Sequence, residues 1–325
     1  MIEWLEVDAG CVVLATAGGA KLHRVQARTS DPFATPMQGR GSLPTTRALL
    51  DGVVAFAARE HREPDRLESS ALESSSAEVT IEGWGRRLAG YYHTTAATQR
   101  LLPRILASVE RAGREDLANW ARHKSDAEDG HDRLALRDLT ALGYDAESLV
   151  AHVVPDRARA WVDLFEKLAE ETVPTACLGY AHALERLALA RPAHFVHQLE
   201  RRLEQKLAER ARSGAEAFAG SQSQDRVIAT RSLRVHSALG SDAGHVDENL
   251  AVIHQLCADE RRTVAVACLQ TARIAFDRRL GREPGPNLAR FHSSSPMLAG
   301  NGPVNIAEYT SKGAASTAAL EHRSG

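Results

Sequence analysis

The chain lacks any stretch of about 18 uninterrupted apolar residues, so no segment is expected to span a bilayer. It lacks a Cys-x-x-Cys pair. Cys11, Cys177, Cys257 and Cys268 lie far apart, which argues against a zinc knuckle or a disulfide framework and fits a reducing compartment. There is no basic block with interleaved aromatics, and the formal net charge is only −2, so nucleic acid is not the expected partner. A Gly-x-Gly-x-x-Gly turn after a strand, a Walker loop and a Gly-x-Ser-x-Gly elbow are all missing, which sets aside the common nucleotide-binding and serine-hydrolase chemistries. Glu3 and Glu6 stand where a secretory signal would be basic, and the expected location is the cytoplasm.

What is present is an ordinary globular composition: 325 residues, 43% hydrophobic and 25% charged, long enough for one large domain or two. Three stretches differ in character. Residues 1–76 form an irregular N-terminal extension: a short strand at Val12-Val13-Leu14, a turn at Gly18-Gly19, one helix from Thr45 to Glu60, and a Ser-rich linker at 69–76. Residues 281–325, punctuated by Pro284, Pro286, Pro296 and Pro303, read as a disordered or loosely attached tail. Between them, over 77–280, apolar residues recur three or four apart. The segments fall around 81–111, 115–142, 156–171, 174–190, 195–216, 225–255 and 259–280. Gly143, Pro155, Pro174 and Pro192 fall at their ends. This predicts an all-α bundle of about seven helices.

Two of these segments carry an acidic residue three positions before a histidine, Glu128/His131 and Asp242/His245. On a regular helix such residues lie roughly 60° apart around the axis and can grip one metal ion. Carboxylate-x-x-His on two helices is the ligand pattern of di-iron sites in helical bundles. A third acid, Glu185, sits among Leu184, Leu187 and Leu189, where a carboxylate needs a metal, a donor or a salt bridge, to Arg186 or to another helix. His182, three residues earlier, is read as lying outside the ligand set. His236 is about 120° from Asp242 on an unbroken helix, so it can join the others only where the helix loses register, as at Gly240-Ser241. His93 with Tyr92 in the first bundle helix is assigned to lining a cofactor or substrate pocket, with a backbone-bonded structural histidine as the alternative.

Taken together, residues of about 84–280 resemble the haem-oxygenase-like di-metal oxidases, the iron-containing redox enzymes. The blocks that carry the resemblance run from Trp120 to Leu139, from Leu178 through Gly179 and Tyr180 to Glu185, and from Arg234 through His236 to Asp242 and His245. The family commonly has three residues between the last block's first histidine and its aspartate; this chain has five between His236 and Asp242. The resemblance implies a haem-oxygenase-like bundle in which Glu128, His131, Glu185, His236, Asp242 and His245 hold two Fe(II) ions. It further implies O2 as co-substrate and a small organic molecule as substrate, oxidised by N-oxygenation, desaturation or oxidative C–C cleavage. A homodimer is compatible with this reading. The alternatives are a metal-free helical enzyme of thiaminase-like type, acting on a cofactor or heterocycle, and a non-catalytic bundle that binds a partner.

Overall fold

The computed structural model describes residues 3–8, 11–24, 42–61, 79–212, 229–237, 239–240, 242–280 and 286–292. The chain opens with β1 (Glu3–Asp8), β2 (Cys11–Thr16) and β3 (Gly19–Arg24), paired antiparallel in that order. Val12, Val13 and Ala15 of the central strand are buried. Gly19 turns the chain into β3 at φ +136°, a conformation that glycine adopts without steric cost. Helix α1 (Leu43–Glu60) starts where the Ser42 side chain accepts the Thr45 N–H. Its inward stripe of Leu49, Leu50, Val53, Phe56 and Ala57 lies against the sheet. At Gly52 a Cβ would come within 2.7 Å of Ala20. The expected strand at 12–14 is thus the centre of a three-stranded meander. Where it is described, the N-terminal stretch is regular structure docked on the bundle, not an irregular extension, because its apolar face joins the main core. The Ser-rich stretch 69–76 lies outside the described residues.

The rest is all-α. Helices α2 (Ile81–Arg111), α3 (Glu115–Glu128), α4 (His131–Ala141), α5 (Ala146–His152) and α6 (Asp156–Ala169) lead to α7 (Ala176–Leu189). Then follow α8 (Ala193–Arg212), α9 (Arg231–Val235), α10 (Asp242–Gln255), α11 (Ala258–Phe276) and a 3-10 turn at Leu288–Phe291. Among the described residues the seven predicted segments become ten helices, for three reasons. The segment 115–142 breaks after Glu128, the segment 225–255 is interrupted between Val235 and Asp242, and the short α5, capped by Asp145, went unpredicted. Part of the predicted loose tail is docked: Leu288 and Phe291 are buried, and the Phe291 carbonyl accepts the Asp145 N–H at 2.7 Å. Residues 293–325 lie outside the described set. Among the described residues, no helix is long and apolar enough to cross a membrane.

Among the described residues, buried apolar side chains form two clusters, and α2 alone contributes to both. One cluster joins the sheet, α1, α3, α6, α7, α10 and α11 to the C-terminal half of α2. The other joins α4, α5, α8, α9 and the 3-10 turn to its N-terminal half. Helices α7 and α11 touch backbone to backbone: a Cβ on Gly179 would lie 2.0 Å from the Val264 carbonyl oxygen. Along α3 and α4 the apolar run passes from the first cluster, ending at Ala121, to the second, starting at Leu139. The buried polar residues Lys124, Glu128 and His131 fall in that seam.

Candidate metal centre

Trp120, Lys124 and Glu128 recur every four residues and form one inward stripe of α3. All three are buried, although two carry charge. Burial without partners would cost each charge several kcal/mol, and the partners are there. The Lys124 ammonium contacts Glu128 Oε1 at 2.6 Å and also Glu185 Oε1, from α7. Asn249 of α10 donates its Nδ2–H to Glu185 Oε2 at 2.5 Å, and Trp120 donates its indole N–H to Asn249 Oδ1 at 2.7 Å. One network therefore joins α3, α7 and α10 through the seam.

The expected regular helix through Glu128 and His131 does not exist. Glu128 is the last residue of α3, Asp129 leaves the helix at φ −58° and ψ 123°, and Gly130 turns through the left-handed region at φ +78°. His131 then opens α4. The two side chains still meet, His131 Nδ1 lying 2.9 Å from Glu128 Oε2, but a turn brings them together and not a shared helical face. Gln99 of α2 clamps that turn. Its Nε2 donates to the Glu128 carbonyl at 2.9 Å, a group left without a helical partner, and to Asp132 Oδ1 at 3.0 Å.

His236 arrives from the other side. Helix α9 ends at Val235, His236 is its non-helical C-cap at φ −97° and ψ 54°, and α10 begins only at Asp242. The register break that the sequence demands lies here. Gly240 sits in the crook, where a Cβ would come within 1.9 Å of the Val235 carbonyl oxygen. Asp138 of α4 fixes the start of α9: Oδ1 accepts the Arg231 N–H at 3.0 Å and Oδ2 the Ser232 N–H at 2.9 Å. The His131 and His236 rings meet edge to face with centroids 4.8 Å apart. Glu128, His131 and His236 each present a ligand atom, and these atoms lie within 4.8 Å of one another. This triad could hold a metal ion.

The other predicted ligands are placed differently. Glu185 is buried, but both its oxygens are engaged by Lys124 and Asn249, so the interhelix salt bridge is the partner observed; Arg186 pairs with Asp51 instead. His245 is buried in the first turn of α10 and lies outside the triad. The side chain of Asp242 is outside the described residues. His93 donates from Nε2 to the Val153 carbonyl at 3.0 Å, tying α2 to the end of α5, with Tyr92 edge-on at 5.3 Å. His182 is a packed imidazole with 1% exposure. Sequence reasoning gave no role to Lys124, Asn249 or Asp138. The four-residue spacing from Trp120 through Lys124 to Glu128 was the available signal.

Electrostatics follow the contacts. Burial pushes the Glu128 carboxyl up, yet the Lys124 charge, the His131 hydrogen bond and His236 hold it well below the usual carboxylate range, so it stands as an anion. At Asp138 burial prevails over the two backbone donors and raises the carboxyl to about 6.

No family model matches the sequence, and no curated protein matches it. Among solved structures the chain is similar to a domain of unknown function with a heme oxygenase-like fold from Shewanella denitrificans. The likeness has 15% identity and a TM-score of 0.43, and covers 72% of this chain and 86% of that one.

Proposed function

We propose that the protein is a non-haem Fe(II)- and O2-dependent oxidoreductase that acts on a small organic substrate. N-oxygenation, desaturation and oxidative C–C cleavage are the reactions within its reach. The observation that carries this reading is the donor set: two imidazoles and one carboxylate, from Glu128, His131 and His236, converging in a buried seam. Two histidines and one carboxylate leaving open positions are the ligand set of many non-haem iron oxygenases. Donors about 2.1 Å from a shared ion stand roughly 3 to 4.2 Å apart, so an upper bound of 4.8 Å needs only small side-chain adjustments.

Fe(II) held there by Glu128, His131 and His236 would supply electrons and open positions for O2. The protein's own residues do the rest. Glu128 contributes the anionic ligand, kept ionised by Lys124, and the Gln99 clamp fixes the backbone that carries it. Asp138 orients α9 and, through it, His236. The apolar clusters on either side keep bulk water from the centre.

Anaerobic titration of the apoprotein with Fe(II), followed by optical spectra and O2 uptake, tests the reading. Saturable binding that raises the melting temperature, and that is lost in Glu128→Ala, His131→Ala and His236→Ala, is the expected result. Binding that survives all three substitutions, or none in the wild type, overturns it.

A further inference from the structure

We propose that the Lys124 ammonium is a built-in replacement for a second metal ion: it occupies the position between Glu128 and Glu185 and limits the centre to one metal. The inference builds on the proposed triad and concerns how many ions the site accepts. Four observations converge on it. Lys124 is 8% exposed and its Nζ touches one oxygen of each glutamate, as a carboxylate-bridged cation would. Glu128 divides its oxygens, Oε1 to Lys124 and Oε2 toward His131, so a single carboxylate already joins the ammonium to the triad. The second oxygen of Glu185 is bound by Asn249, which Trp120 holds in place, so Glu185 is oriented toward Lys124 from behind. Finally, the stripe from Trp120 through Lys124 to Glu128 belongs to one helix whose backbone fixes the spacing of all three.

The charge balance points the same way. With both glutamates ionised and the histidines neutral, these residues carry one net negative charge. One divalent ion at the triad converts that to one positive. A second ion beside the ammonium would place three positive charges in a buried space, where like charges are poorly screened. A tethered ammonium also cannot be diluted away or chelated, and it has no coordination positions to offer O2. On this inference any oxidation proceeds at a single ion, and Lys124 tunes that ion through the shared Glu128.

The test counts ions. Apoprotein is titrated with Mn(II) and, anaerobically, with Fe(II), and bound metal is measured per chain alongside electron paramagnetic resonance of the Mn(II) forms. The wild type should bind one ion, with the signal of isolated Mn(II). Lys124→Ala should bind one more than the wild type, as an exchange-coupled Mn(II) pair, and adding Glu185→Ala should restore the wild-type count. Lys124→Ser serves as a second variant if the alanine form does not fold. Two ions in the wild type would overturn the inference while leaving the triad and its proposed chemistry intact. Equal counts in the wild type and a folded Lys124 variant would also overturn it. No ion in the wild type and one in Lys124→Ala would sink the proposed function, yet support the lysine as the occupant of a metal position.

Discussion

His182 lies on the same turn of α7 as Glu185 but has a different fate. Among the described residues, neither of its ring nitrogens has a hydrogen-bond partner. Burial lowers its pKa from 6.5 to about 4, against mixed contributions from Asp51, Arg186, Arg47 and Asp247 around it. The unfolded chain therefore takes up this proton before the folded one does. The neutral form's contribution is complete above pH 6.5 and is lost as pH falls through about 4. The loss amounts to about 3 kcal/mol across that window. Denaturant melts between pH 7 and pH 4 should show it, and His182→Leu should flatten the curve; equal slopes would show that other groups carry the acid sensitivity. A second residue acts at a distance. Asp138→Ala removes the acceptor that fixes α9, and metal affinity should fall about 10- to 100-fold with every ligand unchanged. Co(II) titration with its ligand-field spectrum measures this, and unaltered affinity would mean that α9 is held elsewhere. The sequence displayed the acids and histidines of the site, since their residue types announce metal chemistry. It did not display Lys124, because a lysine four residues before a glutamate is usually a solvated surface pair. Only the neighbouring helices make it a buried one.

At the level of elements, helices with clean apolar spacing and strong punctuation, such as α2, α6, α7 and α11, were legible nearly to their ends. The interruptions were not. Gly130 within the segment 115–142 is a costly residue for a helix interior, but the apolar spacing gives no sign of the break, because buried residues recur on both sides of it, Ala118 and Ala121 before and Leu134 and Ala135 after. The glycine is there for its backbone angle. Gly130→Ala should lower stability by about 1–2 kcal/mol, the penalty for a side chain in the left-handed region, and should weaken metal binding by displacing His131 from Glu128. Stability from denaturant unfolding and Co(II) affinity check the two parts. An alanine form that folds more stably, with α3 and α4 fused, would show that the turn is not required. The interruption after Val235 follows from chemistry, not from pattern: His236 has to leave the helix to join the other acids and histidines, and it leaves it to meet Glu128 and His131, not His245.

For the whole molecule, the sequence conveyed an all-α bundle and understated what is attached to it. A meander this short is too small to bury a core of its own, and its strands are short enough to pass for loop. What makes it regular is long-range contact, Leu5, Val13 and Ala15 packing with α1 onto α11, and no local pattern encodes that. The site's location was equally non-local. It occupies the seam between two apolar clusters, a place defined by both halves of α2 at once.

The triad joins three helix termini: the end of α3, the start of α4 and the end of α9. Termini are where a helix frays first, opening and closing far more often than the body of the fold. A bound ion would rivet all three at one point, and its effect should be seen as time as well as affinity. Amide hydrogen exchange should slow together in the last turn of α3, the first turn of α4 and α9 on metal loading, while the middle of α2 keeps its rate. Uniform slowing everywhere would mean that the ion stabilises the whole fold without fastening these ends. If the three respond as one, the proposed metal centre is assembled from the parts of the chain that would otherwise be the first to let go.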